Sequence, residues 1–329
     1  MSLLSNFLQS CPQEQGVFEI SKPRFFQHPE QAYDAQYGID ALDLPYHRRE
    51  GKALLDLCVE FGFDRANPAL EIGCGTGRIS LSLLLSERID ELLVTDPSPA
   101  FCRITAAKLS KLPPGSTKAH LAILLAEDVS RLPKGLFSLI ALRSTLHHIL
   151  DVKQFFFDCA EVLAPGGLML FEEPCYEGYV VMGAITQFMP EVLKGNGVRL
   201  SKKHLFDIQM FAETMRFYAR RDVDKSACED KHLFRLDELM RICGGCGLRL
   251  EHFPNRTFGN IEQRNEPLEA NFFEQFYQDY MKYALAWDPD LVKAVMRYGK
   301  KYLEYFSPLM AAGAAPYTYG TFLCQKVDA

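Results

Sequence analysis

Residues 69–78 read ALEIGCGTGR. Gly73, Gly75 and Gly77 alternate with other residues directly after a short apolar run, and Glu71 stands two positions before the first of them. Glycine permits positive φ and lets a ligand touch bare backbone N–H groups. An acid at that spot disfavours a phosphate and tolerates a ligand that carries positive charge. Two further acids follow, Asp96 in VTDPSP and Asp128 in AEDVSRLP. Then come two pairs suited to proton transfer, His147-His148 in STLHHIL and Glu172-Glu173 in LFEEP. Histidine titrates near neutral pH, and a carboxylate beside it can orient the ring and stabilise its charge.

The elements that must position these residues alternate along the chain. Strands are expected at 69–72, 91–96, 120–128, 136–143 and 168–173, with helices at 99–112 and 151–163 between them. The run RISLSLLL forms a helix after the glycines, and Pro165-Gly166-Gly167 a turn. Strand–helix alternation implies crossover units and a parallel sheet. The three acids and the His and Glu pairs then all fall at strand carboxyl ends, the edge where such sheets bind ligands. Residues 1–66 form an N-terminal helical segment and 67–174 the binding core. A helical insertion follows at 175–231, core again at 232–254, a second helical insertion at 255–316, and a last strand at 317–329. The insertions are rich in Tyr, Phe and Met, as at Tyr179, Met182, Phe273 and Tyr277. They are expected to cover the site and exclude water, and they offer a surface for a homodimer.

The chain has 329 residues and a net charge of -6, with 48% apolar and 24% charged residues. That balance argues against a nucleic-acid partner, because phosphate binding needs a basic face. No apolar run approaches the roughly 20 residues that span a bilayer, and MSLLSNFLQSCPQEQG lacks the features of a signal peptide. Ten cysteines, scattered singly, suit reduced thiols of a cytoplasmic protein without membrane association.

The usual dinucleotide fingerprint is G-x-G-x-x-G. Its third glycine would fall at position 78, which is Arg78, so a nicotinamide cofactor is disfavoured. With EIGCGTG, VTDPSP, AEDVSRLP, LHHI and VLAPGGLMLFEEP in order, residues 71–173 resemble the class I S-adenosylmethionine-dependent methyltransferases, small-molecule (natural-product and sugar) O-methyltransferases among them. The resemblance implies a Rossmann-like α/β fold: a mostly parallel seven-stranded sheet flanked by helices, with helical insertions after strands 5 and 6. It implies S-adenosylmethionine as cofactor and a small-molecule acceptor. Asp96 would accept the ribose hydroxyls and Asp128 the adenine amino group. Tyr37, Glu71, Gly73, Cys74, Gly75, Pro97, Val129 and Arg143 would complete the cofactor site. His147 and Glu173 would be the catalytic pair. O-methylation is the expected chemistry. C- or N-methylation of a metabolite, or a binding protein that has lost turnover, are the alternatives. Cys228, His232, Cys243 and Cys246 have a spacing that zinc could use, but Cys243 and Cys246 bracket a helix end that packs on the sheet, and no metal is expected.

Overall fold

The computed structural model describes residues 2–24, 43–63, 65, 67–112 and 117–327. The chain divides into two units, a sheet unit (Met1–Glu173, Leu236–Arg264, Thr321–Ala329) and a helical unit (Pro174–Arg235, Asn265–Gly320).

The sheet unit opens with helix α1 (Leu3–Gln9) and two short strands, β1 (Gln13–Glu14) and β2 (Val17–Glu19). After helix α2 (Leu44–Glu60) come β3 (Ala69–Ile72), α3 (Arg78–Leu84), β4 (Glu91–Asp96), α4 (Pro99–Leu109) and β5 (Lys118–Ile123). Then follow β6 (Phe137–Arg143), α5 (Val152–Val162), β7 (Leu163–Pro174), α8 (Leu236–Gly245), β8 (Leu248–Pro254) and β9 (Tyr319–Lys326). The sheet order is β1-β2-β5-β4-β3-β6-β7-β9-β8. Within it β5-β4-β3-β6-β7 run parallel. Parallel strands covered on both faces read as continuous apolar runs, and β3 and β4 are buried at every position.

The strand count departs from expectation. Among the described residues the sheet has nine strands rather than seven, because β2 adds in parallel to β5, and β1 adds antiparallel to β2. Residues 1–66 are therefore not wholly helical. Their aperiodic Pro- and Gln-rich sequence hides strands of two and three residues, too short to show alternation. The expected turn at Pro165–Gly167 lies inside β7, where the pairing jumps from Phe137↔Leu163 to Leu139↔Leu168. The 3₁₀ turn Phe258–Gln263, expected in the second insertion, belongs to the sheet unit. Phe258 and Ile261 are buried in that unit's core.

Local chemistry sets the helix starts. Asp43 caps α2 at the Tyr46 N–H, and Ser98 caps α4 at Ala100 and Phe101, each ahead of a proline in the first turn. In the helical unit, α6 (Tyr176–Gly195) and α7 (Lys202–Ala219) pack with α9 (Phe272–Asp279), α10 (Pro289–Leu303) and α11 (Ser307–Ala311). Tyr179, Met182, Met189, Phe273, Tyr277 and Val295 are core there, so most of the unit's aromatic stripe stabilises its own packing. Two buried hydroxyl contacts, Thr186 with Tyr277 and Ser307 with Glu274, tie its helices together.

α2 and α3 approach most tightly at Gly51, where a Cβ would run into the Ser82 carbonyl. Backbone cannot yield as a flexible side chain can. Gly51→Ala is expected to destabilise the sheet unit by about 3 kcal/mol, despite the better helix propensity of alanine. Urea unfolding measures it, and an unchanged midpoint would contradict the close approach.

Candidate active site

The loop between β3 and α3 holds Gly73, Gly75 and Gly77 at φ of +73°, +50° and +87°. L-residues rarely adopt that region, so glycine is required by the turn itself. The three differ in their surroundings. A side chain at Gly73 would collide with Thr145, and one at Gly77 would press on Thr105 at 3.0 Å. At Gly75 it would meet nothing within 4 Å. The loop therefore fronts open space at Gly75 and packs tightly on either side of it.

Asp96, at the end of β4, closes this loop. Its Oδ2 accepts the Gly75 N–H at 2.9 Å and its Oδ1 the Ser98 N–H at 2.8 Å. The carboxylate is 4% exposed. Helix capping falls to Ser98, which Asp96 holds in place. Pro97 is half-buried beside it. Cys74 is buried, and its Sγ faces Thr105 Oγ1 at 3.7 Å. A hydrogen bond with Cys102 and burial push its thiol well up, so it is not a nucleophile.

Glu71 is 1% exposed. Ser80 Oγ, on the helix beyond the loop, donates to its Oε2 at 2.6 Å. Burial, with a smaller push from the Asp96 charge, raises its carboxyl from 4.5 to about 8. At neutral pH it is mostly protonated, and a cation bound beside it would drive it to ionise.

Beyond β5, Asp128 stands in the 3₁₀ turn Ala126–Arg131, with its Oδ1 2.9 Å from Arg131 Nε. Val129 turns its side chain fully into the core, leaving only its backbone for any ligand. Tyr37 lies outside the described residues.

The His and Glu pairs meet where β6 and β7 end. His147 Nδ1 is 2.6 Å from Glu173 Oε2. Glu173 is fully buried, and its Oε1 accepts the Thr145 and Leu146 N–H groups at 2.8 and 2.6 Å. Two backbone donors and one ring nitrogen thus fix that carboxylate. With Nδ1–H donating to it, the basic lone pair of the imidazole sits on Nε2. Between strand and histidine, Ser144 has φ of +48°. A non-glycine residue there stores strain of about 1–3 kcal/mol, as functional turns do.

Adjacent strand residues face opposite ways, and Glu172 belongs to a second network. Its Oε2 accepts the Phe258 N–H at 2.6 Å, and its Oε1 is 3.3 Å from Arg143 Nε. Arg143 Nη1 reaches 3.5 Å from Glu50 Oε1. Glu50, buried on α2, also accepts from Ser82 Oγ at 2.6 Å and Tyr46 OH at 2.8 Å. Arg78 Nη2 donates to Tyr46 OH at 2.7 Å. Sequence reasoning missed Glu50, Tyr46 and Arg78 as parts of this site. One signal was present: Glu50 shares the apolar helix face of Leu54 and Leu57, an odd place for a charge without partners.

Of the zinc-spaced residues, Cys243 Sγ lies 3.5 Å from Cys324 Sγ in the sheet unit, while Cys228 and His232 belong to the helical unit. Among the described residues, which include all ten cysteines, there is no disulfide. Among the described residues no helix is long and apolar enough to cross a membrane.

Crossover units, a glycine turn and acids on the carboxyl edge define a Rossmann-like α/β fold. Residues 70–169 match a family described as a methyltransferase domain. The chain is 33% identical over 105 residues to a ubiquinone biosynthesis O-methyltransferase of Bradyrhizobium diazoefficiens, covering 31% of this chain and 37% of that protein. It is 32% identical over 136 residues to "Probable polyketide synthase 40" of Dictyostelium discoideum, covering 36% of this chain and 5% of that protein. The chain thus spans only a minor part of either relative's length. Among solved structures, a phosphoethanolamine N-methyltransferase 2 of Haemonchus contortus in complex with S-adenosyl-L-methionine is similar. Its TM-score is 0.45 at 13% identity, over 92% of this chain and 60% of that one. Residues 70–169, about a third of the chain, are thus similar to a methyltransferase domain.

The raised Glu71 pKa has a definite sign. Its contribution to stability is full below 4.5 and is lost as pH rises through about 8. Glu71→Gln should therefore gain in Tm over wild type progressively from pH 5 to pH 9. A Tm difference independent of pH would place this carboxyl in its ordinary range.

Proposed function

We propose that this protein transfers a methyl group from S-adenosylmethionine to the hydroxyl of a small-molecule acceptor. The observation that supports this most directly is the His147–Glu173 pair at 2.6 Å, on the same strand-end edge as the glycine loop. The residues present fit the cofactor: open space in front of Gly75, acids at Glu71, Asp96 and Asp128, and bare backbone suited to a ligand without phosphate. When bound, it supplies an electrophilic methyl on a sulfonium.

The chain's own groups do the rest. Asp96 holds the ribose hydroxyls and Asp128 the adenine amino group. The loop backbone and Arg143 hold the amino-acid tail, beside Glu71. His147 Nε2 takes the acceptor's hydroxyl proton, and Glu173, a positioning residue, fixes the ring and stabilises the imidazolium. Orientation contributes up to roughly 7–11 kcal/mol, and general-base catalysis about 10²–10⁴-fold. A hydroxyl acceptor is favoured over carbon or nitrogen because a histidine locked by a buried carboxylate is suited to removing a proton from it.

Asp96→Ala should weaken S-adenosylhomocysteine binding by about 1–3 kcal/mol, the cost of unpaired ribose hydroxyls. Calorimetry reads it, and an unchanged Kd would remove Asp96 from the site. His147→Ala should lower kcat by about 10²–10⁴-fold and leave cofactor Kd near wild type. Equal loss in both would argue for a binding role. Incubation with methyl-labelled cofactor and a metabolite extract tests the activity itself: absence of any labelled product would contradict turnover.

A further inference from the structure

We infer that the N-terminal segment Ile20–Arg24 is a wall of the cofactor's adenosine pocket, and that Arg131 couples this strap to Asp128. The inference rests on the cofactor reading above and adds to it a part of the chain outside the family match, which begins at residue 70.

The strap leaves β2 at the carboxyl end of the sheet, where Glu19 pairs with Ile123. The N–H groups of Ile20 and Ser21 both donate to the Ile123 carbonyl at 3.1 Å. Leu125 N–H donates to Ser21 Oγ at 3.0 Å. Arg24 N–H then donates to the Pro97 carbonyl at 2.9 Å. The strap thus crosses from the end of β5 to the end of β4. Those ends lead to Asp128 and carry Asp96, the two acids assigned to adenine and ribose. Its first two residues are buried, Ile20 at 8% and Ser21 at 4% exposure, so it is a packed part of this edge.

Arg131 joins the strap to the acid. Its Nε faces Asp128 Oδ1 at 2.9 Å, and its Nη1 donates to the Ile20 carbonyl at 3.0 Å. A planar guanidinium can serve both acceptors at once, whereas a lysine ammonium is a point donor on a flexible stem. Arg131 therefore acts as a positioning residue. It sets the Asp128 carboxylate and the strap in one geometry. Whatever binds against both favours the docked strap, and by linkage the docked strap favours that ligand by the same factor.

Hydrogen exchange on the full chain tests this, read on peptides across residues 17–24, with S-adenosylhomocysteine, 5′-methylthioadenosine or methionine added. Both adenosine ligands should slow exchange there, by about 5–150-fold for a coupling of ordinary size, and methionine should not. Arg131→Ala should weaken both adenosine ligands by that same factor, with Arg131→Lys recovering only part. Ser21→Ala, which loosens the strap at Leu125 without touching Arg131 or Asp128, should weaken them too. Wild type that binds S-adenosylhomocysteine with exchange unchanged at 17–24 overturns the strap. So does Ser21→Ala that binds at wild-type affinity, and Arg131 is then reduced to orienting Asp128. Wild type that binds neither adenosine compound overturns the cofactor reading, and this inference with it.

Discussion

The site depends on one carboxylate that joins three pieces of backbone. Asp96 ends β4, accepts the amide of Gly75 in the neighbouring loop, and accepts the amide of Ser98 at the cap of the next helix. Each bond is charge-assisted, and the one to Ser98 is buried as well, so both are stronger than a neutral surface bond. Without that carboxylate the glycine loop loses its fixed distance from β4, and two amides lose their acceptor. The residue assigned to the ribose is therefore also the residue that shapes the loop beside it.

Around it, the sheet edge gathers more buried acid than base. Glu50, Glu71, Asp96, Glu172 and Glu173 are all at most 4% exposed. Each is accommodated differently. Glu71 stays protonated near neutral pH, because burial carries its carboxyl to about 8. Glu173 is held by two backbone amides and His147. Glu50 and Glu172 share Arg143, which reaches both within 3.5 Å. Burying a charge is costly unless it is paired and hydrogen-bonded. An edge rich in acid but matched group by group suits a ligand with a sulfonium and an ammonium better than one with a pyrophosphate.

Much of this was legible from residue order. The parallel core could be read because β3, β4 and β6 are continuous apolar runs punctuated by helices of ordinary length. The candidate acids could be placed on one edge, because strand ends in a parallel sheet share it. His147 and Glu173 could be expected as neighbours, because β6 and β7 adjoin. What stayed hidden involved short elements or long-range partners. β1 and β2 hold two and three residues, below the length at which alternation can be seen. Glu50 looked like one charge in a helix, since Ser82, Tyr46, Arg143 and Arg78 come from three separate elements. The helical unit's aromatics read as a rich stripe, and most of them close their own core.

By itself the sequence determined the order of the core strands and helices, the positive-φ loop that only glycine makes without strain, and the chemical types at the strand ends, because each rests on local pattern and on the conformational limits of single residues. Tertiary structure alone decided which oxygen of Asp96 meets which amide, which nitrogen of His147 meets Glu173, how far Glu71 is driven from its ordinary pKa, and that an N-terminal strap crosses the ends of β5 and β4. Those outcomes depend on burial and on contacts between residues up to about a hundred positions apart. No local pattern encodes them, because the energy of a buried polar group is set by whatever the fold places against it.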